Sequence, residues 1–306
     1  MSETLPDGLS QAIRAAHSRL QIGPPQPTAA CLARTDEALP AVARAAIAAA
    51  RSLGFVEHDA AVVAQAWQAR FERTGRTDPE VWPDEPADFG LAPWPRAEAF
   101  APCPKALGLY AVLPDADSVA RLAQAGVPTL QLRFKSDDAA TVRAQVRAAV
   151  RAVQGTPALL FVNDHWREAI DAGAYGVHLG QEDLDSADLG AIRDAGLRLG
   201  LSTHGYAEML RADRLSPSYI AMGAVYATTL KDMPTAPQGP ARLNVYARLL
   251  RDHALVAIGG IDEARFAEVL PSGVGSIAVV RAIVAAPDPA LAARGLMQVL
   301  ERGRRG

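Results

Sequence analysis

From about Leu107 onward, short apolar runs alternate with stretches whose apolar positions recur every three to four residues. The runs are LGLYAV (107–112), TLQLRF (129–134), ALLFVN (158–163), GVHL (176–179), RLGLS (198–202), YIAMG (219–223), LVAIGG (255–260) and SIAVV (276–280). Their length and composition predict strands. The segments between them include SVARLAQAG, ATVRAQVRAAVRAVQG, WREAIDAGA, ADLGAIRDAG, GYAEMLRAD, LNVYARLLRD and DEARFAEVLPSG, which carry helical periodicity and in several cases end at Gly. Strands spaced by helices mean parallel βα units, and eight of them predict a small (β/α)8 TIM barrel over residues 105–306. An open doubly wound sheet is the rival. It lacks a GxGxxG turn after the first strand.

The first part of the chain reads differently. Leu9, Ile13, Ala16 and Leu20 share one helical face, ending before Gly23. Leu39, Val42, Ile47, Ala50 and Leu53 form a second pattern, with Thr35 or Asp36 as N-cap. Val63, Trp67 and Phe71 form a third, ending near Gly75. Residues 1–78 are therefore expected to be a small, mainly helical N-terminal region. Seven of the 22 prolines lie between Pro79 and Pro104, which excludes regular helix or central strand there. Residues 79–104 are read as an extended Pro-rich connector, and its Trp82, Phe89, Trp94 and Phe100 imply that it packs on a surface. No catalytic constellation stands out before the barrel: Asp36, Glu57, His58 and Asp59 read as helix caps or solvated faces.

Composition narrows the function classes. With 49% apolar and 21% charged residues in 306, the chain has the makings of a large core. A net charge of -3 offers no excess of positive charge for nucleic acid, though a local cationic pocket for a small anion stays open. Two cysteines without CxxC or Cys/His clustering argue against a disulfide framework or structural zinc. Neither a secretory signal nor an apolar run long enough to span a membrane is evident, so a cytoplasmic protein is expected. Of 31 Lys plus Arg, only Lys105, Lys135 and Lys231 are Lys, and Asn163 and Asn244 are the only Asn. In a chain so biased toward Arg and Ala, these few positions are candidates for specific chemistry.

In a TIM barrel the active site lies at the C-terminal ends of the strands. The second run ends in Gln131, Arg133 and Lys135, alternating with Leu130, Leu132 and Phe134, so the polar three share one face. The bland alternative is a solvated edge strand. The third run ends in Asn163 and Asp164, and the fourth in GVHLGQED with His178, Gln181 and Asp183. Asp164 and Asp183, on neighbouring strands, could share a hard cation; singly, either could be a helix N-cap. The fifth run ends in Ser202, Thr203 and His204, where a ligand-binding hydroxyl fits better than a nucleophile because no GxSxG elbow is present. Thr228, Thr229, Leu230 and Lys231 sit in the loop after the sixth run. Gly260 follows the seventh run, and Val280 and Arg281 end the eighth, where this fold commonly binds phosphate. Together these predict a diphosphate site (Arg133, Lys135, Asn163, Lys231 and a metal on Asp164 and Asp183) and a monophosphate site (Thr228, Gly260, Val280 and Arg281).

The motifs QLRFK, VNDH, GVHLGQED, GLSTH, YATTLK followed by PQG, VAIGGI and VGSIAVVRAI, in this order, resemble those of the thiamine phosphate synthase family. The resemblance covers about residues 107–300. It implies a Mg2+-dependent transferase that joins hydroxymethylpyrimidine diphosphate to a thiazole phosphate, or its carboxylated form, releasing pyrophosphate. By that resemblance Gln131, Arg133, Lys135, Asn163, Ser202 and Lys231 bind the pyrimidine diphosphate. Asp164 and Asp183 hold Mg2+. Thr228, Thr229, Leu230, Gly260, Val280 and Arg281 bind the thiazole phosphate. Arg133, Lys135 and Lys231 are the expected catalytic groups, acting by electrostatics and positioning. Its partners would be small-molecule substrates, not nucleic acid or membrane, with a homo-oligomer left open. The chain departs from the family pattern at Phe134 and Ser136 (usually Glu and Gly), Ala227 (often Pro), Leu230 (often Thr) and Arg281 (often Ser). A thiazole tautomerase of the same superfamily and a non-catalytic thiazole-phosphate-binding barrel are the alternatives, and the presence of the full diphosphate cluster favours the synthase.

Overall fold

The computed structural model describes residues 5–24, 26–94, 96–228 and 235–305. Eight strands, β1 (Gly108–Leu113), β2 (Thr129–Leu132), β3 (Leu159–Asn163), β4 (Gly176–Leu179), β5 (Arg198–Thr203), β6 (Tyr219–Met222), β7 (Leu255–Ala257) and β8 (Ser276–Val279), close into one barrel in sequential order. Every pairing is parallel, including β1 with β8. Six of the eight predicted runs contain their strands, β1 and β5 each extend one residue past theirs, to Leu113 and Thr203, and GVHL matches β4 residue for residue. The helices are α1 (Leu5–Ala16), α2 (Ala41–Ser52), α3 (Glu57–Thr74), α4 (Ala116–Gln124), α5 (Ala139–Val153), α6 (Trp166–Ala172), α7 (Leu189–Asp194), α8 (Tyr206–Arg214), α9 (Gly239–Leu249), α10 (Phe266–Val269), α11 (Arg281–Val284) and α12 (Pro289–Arg305).

Local chemistry sets several helix starts. Asp115 accepts from Ser118 N at 2.7 Å, Asp138 from Ala140 N and Thr141 N at 3.1 Å, and Asp188 from Ala191 N at 2.9 Å. Period-two alternation splits the barrel into two cores. Leu109, Leu130, Leu132, Leu160, Val162, Val177 and Leu199 face outward under the helices. Tyr110, Val112, Phe161, Tyr219, Ala221, Val256 and Ala278 fill the interior. Two inward glycines make room for the large rings. A Cβ on Gly176 would lie 2.6 Å from the Phe161 ring, and one on Gly200 would lie 2.1 Å from Tyr219 Cζ.

The three N-terminal helices share the outer core with the barrel. Tyr206, at the first position of α8, is fully buried in an aromatic nest. Phe55, Phe89 and Tyr246 lie 6.0, 5.3 and 4.7 Å from its ring, and Trp82 Nε1 donates to its hydroxyl at 2.9 Å. Arg242 of α9 is buried. It donates to Leu20 O at 2.9 Å and Leu53 O at 2.8 Å, and its guanidinium lies 3.6 Å from the Phe55 centroid. Residues 79–104 form no strand and, among the described residues, only the short 3-10 turn Pro86–Phe89, consistent with their prolines. They hold the barrel through the buried Trp82, Phe89 and Phe100 and through Arg96, which donates to both carboxylate oxygens of Asp213 at 2.8 Å.

One expected cap is corrected. Helix α2 starts after Pro40, not at Thr35 or Asp36. Asp36 instead accepts from Ala33 N at 2.7 Å within a 3-10 turn, and Arg51 donates to its carboxylate. Leu39 lies outside the helix because a proline follows it, which disfavours helical backbone before residue 40.

Candidate active site

A cavity of about 1080 Å³ opens at the C-terminal ends of the strands. Gln131, Arg133, Lys135, Asn163, Asp164, Ser202, Thr228, Gly260, Val280 and Arg281 all line it. Thr229, Leu230 and Lys231 lie outside the described residues. Strand β2 stops at Leu132, yet its alternation continues: Arg133 and Lys135 face the cavity while Phe134 packs against the outer core. Gln131 Nε2 donates to Asn163 Oδ1 at 2.7 Å, and both residues are buried, so two neighbouring strand tips enter the site already joined.

Asp164 does not cap α6. His165 holds the N-cap position there, without a side-chain hydrogen bond, and Asp164 takes the left-handed conformation at φ 63°. Asp is among the residue types that tolerate it, and the turn puts the carboxylate in the cavity wall. Burial pushes the Asp164 carboxyl above its usual range; Asp183 and Glu182 push it further, and Arg133 opposes them. Asp183 follows the lining residues Gly180 and Glu182 without lining the cavity itself. Its Oδ2 accepts from Gly180 N at 2.8 Å, and it does not cap α7, where Asp188 does so.

This donor set suits a hard cation. The charge of Asp183 reaches Asp164, and a divalent ion would relieve that repulsion. Among the described residues no group of three or more His, Cys, Asp or Glu side chains could hold a metal by itself. Mg2+ characteristically takes one or two carboxylates and completes its shell with water and substrate phosphate.

The glycines after β7 have a reason within the protein itself. Gly259 and Gly260 have φ of 101° and 64°. A Cβ on Gly259 would lie 2.5 Å from Ala224 Cα, and one on Gly260 would lie 2.5 Å from Ala227 O. The pair thus seats the stretch after β6 that carries Thr228. Val280 precedes the short α11, and Arg281 is its first residue.

Three charged residues of the cavity wall, Glu182, Asp262 and Arg265, are not among those the sequence singles out. Glu182 lies over Gly180, where an added Cβ would meet its Oε2 at 2.7 Å. The same GQED turn carries it and Asp183. Arg265 donates to Gly260 O and lies 4.4 Å from the Tyr226 centroid. In the sequence it falls on a helical face after the seventh strand, and nothing in its spacing sets it apart.

The family model described as thiamine monophosphate synthase matches residues 109–283. Thiamine-phosphate synthase from Neisseria meningitidis serogroup A is 53% identical over 190 residues, covering 62% of this chain and 93% of the relative. That from Serratia proteamaculans is 51% identical over 202 residues, covering 66% and 95%. A solved structure of thiamine phosphate pyrophosphorylase from Pyrococcus furiosus is similar with a TM-score of 0.57 and 28% identity, covering 64% of this chain and 96% of that one. The family match begins only at Leu109, inside β1, and runs through seven further strands to the residues of α11. The chain belongs to the thiamine monophosphate synthase family.

Proposed function

We propose that this chain condenses a hydroxymethylpyrimidine diphosphate with a thiazole phosphate to give thiamine phosphate and pyrophosphate. The observation that carries the reading is the convergence of Arg133, Lys135, Asp164 and the Gln131–Asn163 pair on the cavity that Thr228, Gly260 and Arg281 also line. One end suits a diphosphate and the other a monophosphate, as a two-substrate transfer between phosphorylated heterocycles requires. Ala221, Ile258 and Ala278 give the wall between them an apolar surface for flat rings.

In this reading the carbon–oxygen bond to the diphosphate breaks and a carbon–nitrogen bond to the thiazole forms. No protein nucleophile is needed. The aminopyrimidine stabilises a positive exocyclic carbon, so departure can precede attack. Arg133 and Lys135 neutralise the charge that develops on the leaving pyrophosphate, and Lys231 joins them by the family resemblance. Asp164 and Asp183 would hold Mg2+, which supplies further neutralisation of that group when bound. The Gln131–Asn163 pair and Ser202 orient the pyrimidine, and the glycine pair with Thr228 and Arg281 orients the thiazole phosphate. The chain's own contribution is positioning and fixed charge.

The test is to incubate the purified chain with both substrates and Mg2+ and follow thiamine phosphate and pyrophosphate together. Equal amounts of the two products are expected. Arg133→Ala is expected to lower turnover at least a hundredfold with unchanged circular dichroism. Failure to form thiamine phosphate from the complete mixture, or near-wild-type turnover in Arg133→Ala, would overturn the reading. A tautomerase or a passive binder would release no pyrophosphate.

A further inference from the structure

A line of polar groups runs from the cavity into the apolar interior of the barrel. Ser202 Oγ lies 2.8 Å from His178 Nε2, and His178 Nδ1 lies 2.7 Å from the Tyr219 hydroxyl. The Tyr219 hydroxyl lies 2.7 Å from that of Tyr110. His178 also stacks on the Tyr219 ring, with centroids 5.7 Å apart and planes at 22°. The barrel is built around this line. Gly200 gives up a side chain directly beneath it, since a Cβ there would lie 2.4 Å from the Tyr219 hydroxyl oxygen. Two phenols and an imidazole buried among Phe161, Val112 and Ala278 need such partners for their polar atoms.

The line has a direction. Among the described residues, the Tyr110 hydroxyl has one hydrogen-bond partner, the Tyr219 hydroxyl. If Tyr110 accepted that bond, its own hydrogen would be buried without an acceptor, an arrangement disfavoured roughly tenfold or more. Tyr110 therefore donates to Tyr219. The Tyr219 hydrogen is then left for His178 Nδ1, which must be the bare, accepting nitrogen. Nε2 carries the imidazole hydrogen and donates it to Ser202 Oγ. The Ser202 hydrogen is left to point into the cavity. Burial raises both phenols above their usual range, so each stays protonated and the line keeps its hydrogens.

We propose that Tyr110, Tyr219 and His178 form a one-way hydrogen-bond chain that fixes the Ser202 hydroxyl as a donor into the cavity, toward an acceptor atom of the pyrimidine substrate. This rests on the function proposed above for the identity of that substrate. The direction of the chain rests only on the barrel interior. Tyr219 and His178 are positioning residues; they act on substrate through Ser202.

The first measurement uses the unmodified full-length chain. The 15N shifts of the His178 ring, assigned among the 6 histidines by the signal lost in His178→Gln, report its tautomer directly. A bare Nδ1 and a protonated Nε2 are expected in the absence of any substrate, and a protonated Nδ1 would overturn the proposal. The second measurement is kinetic. Tyr219→Phe is expected to raise KM for the pyrimidine diphosphate about tenfold with a much smaller change in kcat. Adding Tyr219→Phe to Ser202→Ala is expected to change KM by no more than about twofold, because Tyr219 acts through Ser202. A full further tenfold in the double variant would overturn the proposal. If the chain forms no thiamine phosphate, the proposed reaction fails while the tautomer still decides the direction of the chain.

Discussion

Asp59 of α3 and Gly205, which follows the end of β5, are fitted to one another. A Cβ on Gly205 would lie 1.9 Å from Asp59 Oδ2, and Asp59 Oδ1 accepts from Ala207 N at 2.9 Å. The N-terminal region thus supplies the N-terminal carboxylate of a barrel helix, α8, which starts four residues beyond Ser202. Burial raises the Asp59 carboxyl above its usual range, and the hydrogen bond from Ala207 opposes that.

This fit predicts a coupled pair of substitutions. Gly205 has φ −176°, extended backbone that any residue adopts, so Gly205→Ala suffers only from the collision with Asp59. We expect it to destabilise the chain by about 2 kcal/mol or more, in the range of other overpacked sites. Asp59→Ala alone should cost about 1 kcal/mol as a lost cap. In the double variant the collision is gone, so the effects should fall short of their sum by at least about 1 kcal/mol. Urea denaturation of the four proteins measures this. Strict additivity would show that the two residues do not meet.

Arg242 predicts how the N-terminal helices and the barrel unfold. Among the described residues this buried cation makes no ion pair with a carboxylate; two carbonyls at the ends of N-terminal segments, the Gln238 side-chain oxygen and the Phe55 ring receive it instead. Because those carbonyls belong to Leu20 and Leu53 while Arg242 belongs to α9, and because one core spans both, the two parts should melt in a single transition. Arg242→Ala should lower stability by about 3 kcal/mol, since it strips Leu20 O of its partner, leaves Leu53 O with Ile22 N alone, and opens a cavity beside Phe55. Thermal unfolding followed by near-ultraviolet and far-ultraviolet dichroism checks both statements. Two separate transitions in the unaltered chain would contradict the first.

Legibility differed from element to element, for physical reasons. The eight strands stood out because a buried parallel strand is a short apolar run, and the continued alternation through Gln131, Arg133 and Lys135 survived past the end of β2. Asp164 and Ser202 were readable as strand-tip residues. The sequence marks Asp59 as a cap or solvated residue; it is a buried cap, but of α8, through a hydrogen bond from Ala207, 148 positions further along the chain. Helical periodicity tells which face of α3 is apolar, not what covers it. Gly176 and Gly200 carry no such signal in the sequence, for a related reason. An inward glycine in a strand has meaning only once the ring that fills its space, Phe161 or Tyr219, is known.

Gly260→Ala tests the division of the cavity into two ends. The substitution asks an alanine to adopt φ +64° and puts its Cβ 2.5 Å from Ala227 O, next to Thr228. The backbone strain alone is about 1–2 kcal/mol. The loop after β6 must shift, so KM for the thiazole phosphate should rise about tenfold or more. KM for the pyrimidine diphosphate, governed by the strand tips around Gln131 and Asn163, should stay within about twofold. Steady-state kinetics with each substrate varied in turn decides it, and an equal rise in both constants would mean that the two ends are not separate.

Asp213 gives the chain an acid-sensitive fastening. Burial alone would raise its carboxyl, but hydrogen bonds from His253, at 2.8 Å, and from Arg96 outweigh burial and hold it below the usual carboxylate range. An acid whose pKa is lower in the folded than in the unfolded chain binds fewer protons when folded. Its contribution to stability is therefore complete above the unfolded value, about 4, and disappears as pH falls through the lower folded value. Asp213→Asn should cost about 3 kcal/mol at pH 7, because it leaves Arg96 and His253 facing a neutral amide in a buried setting. The gap between the variant and the unaltered chain should stay constant from pH 7 to about pH 5 and then narrow steadily below about pH 4. Urea denaturation at a series of pH values reads that gap directly. A difference that persists undiminished to pH 3 would mean that the Asp213 charge does not fasten residues 79–104 to α8.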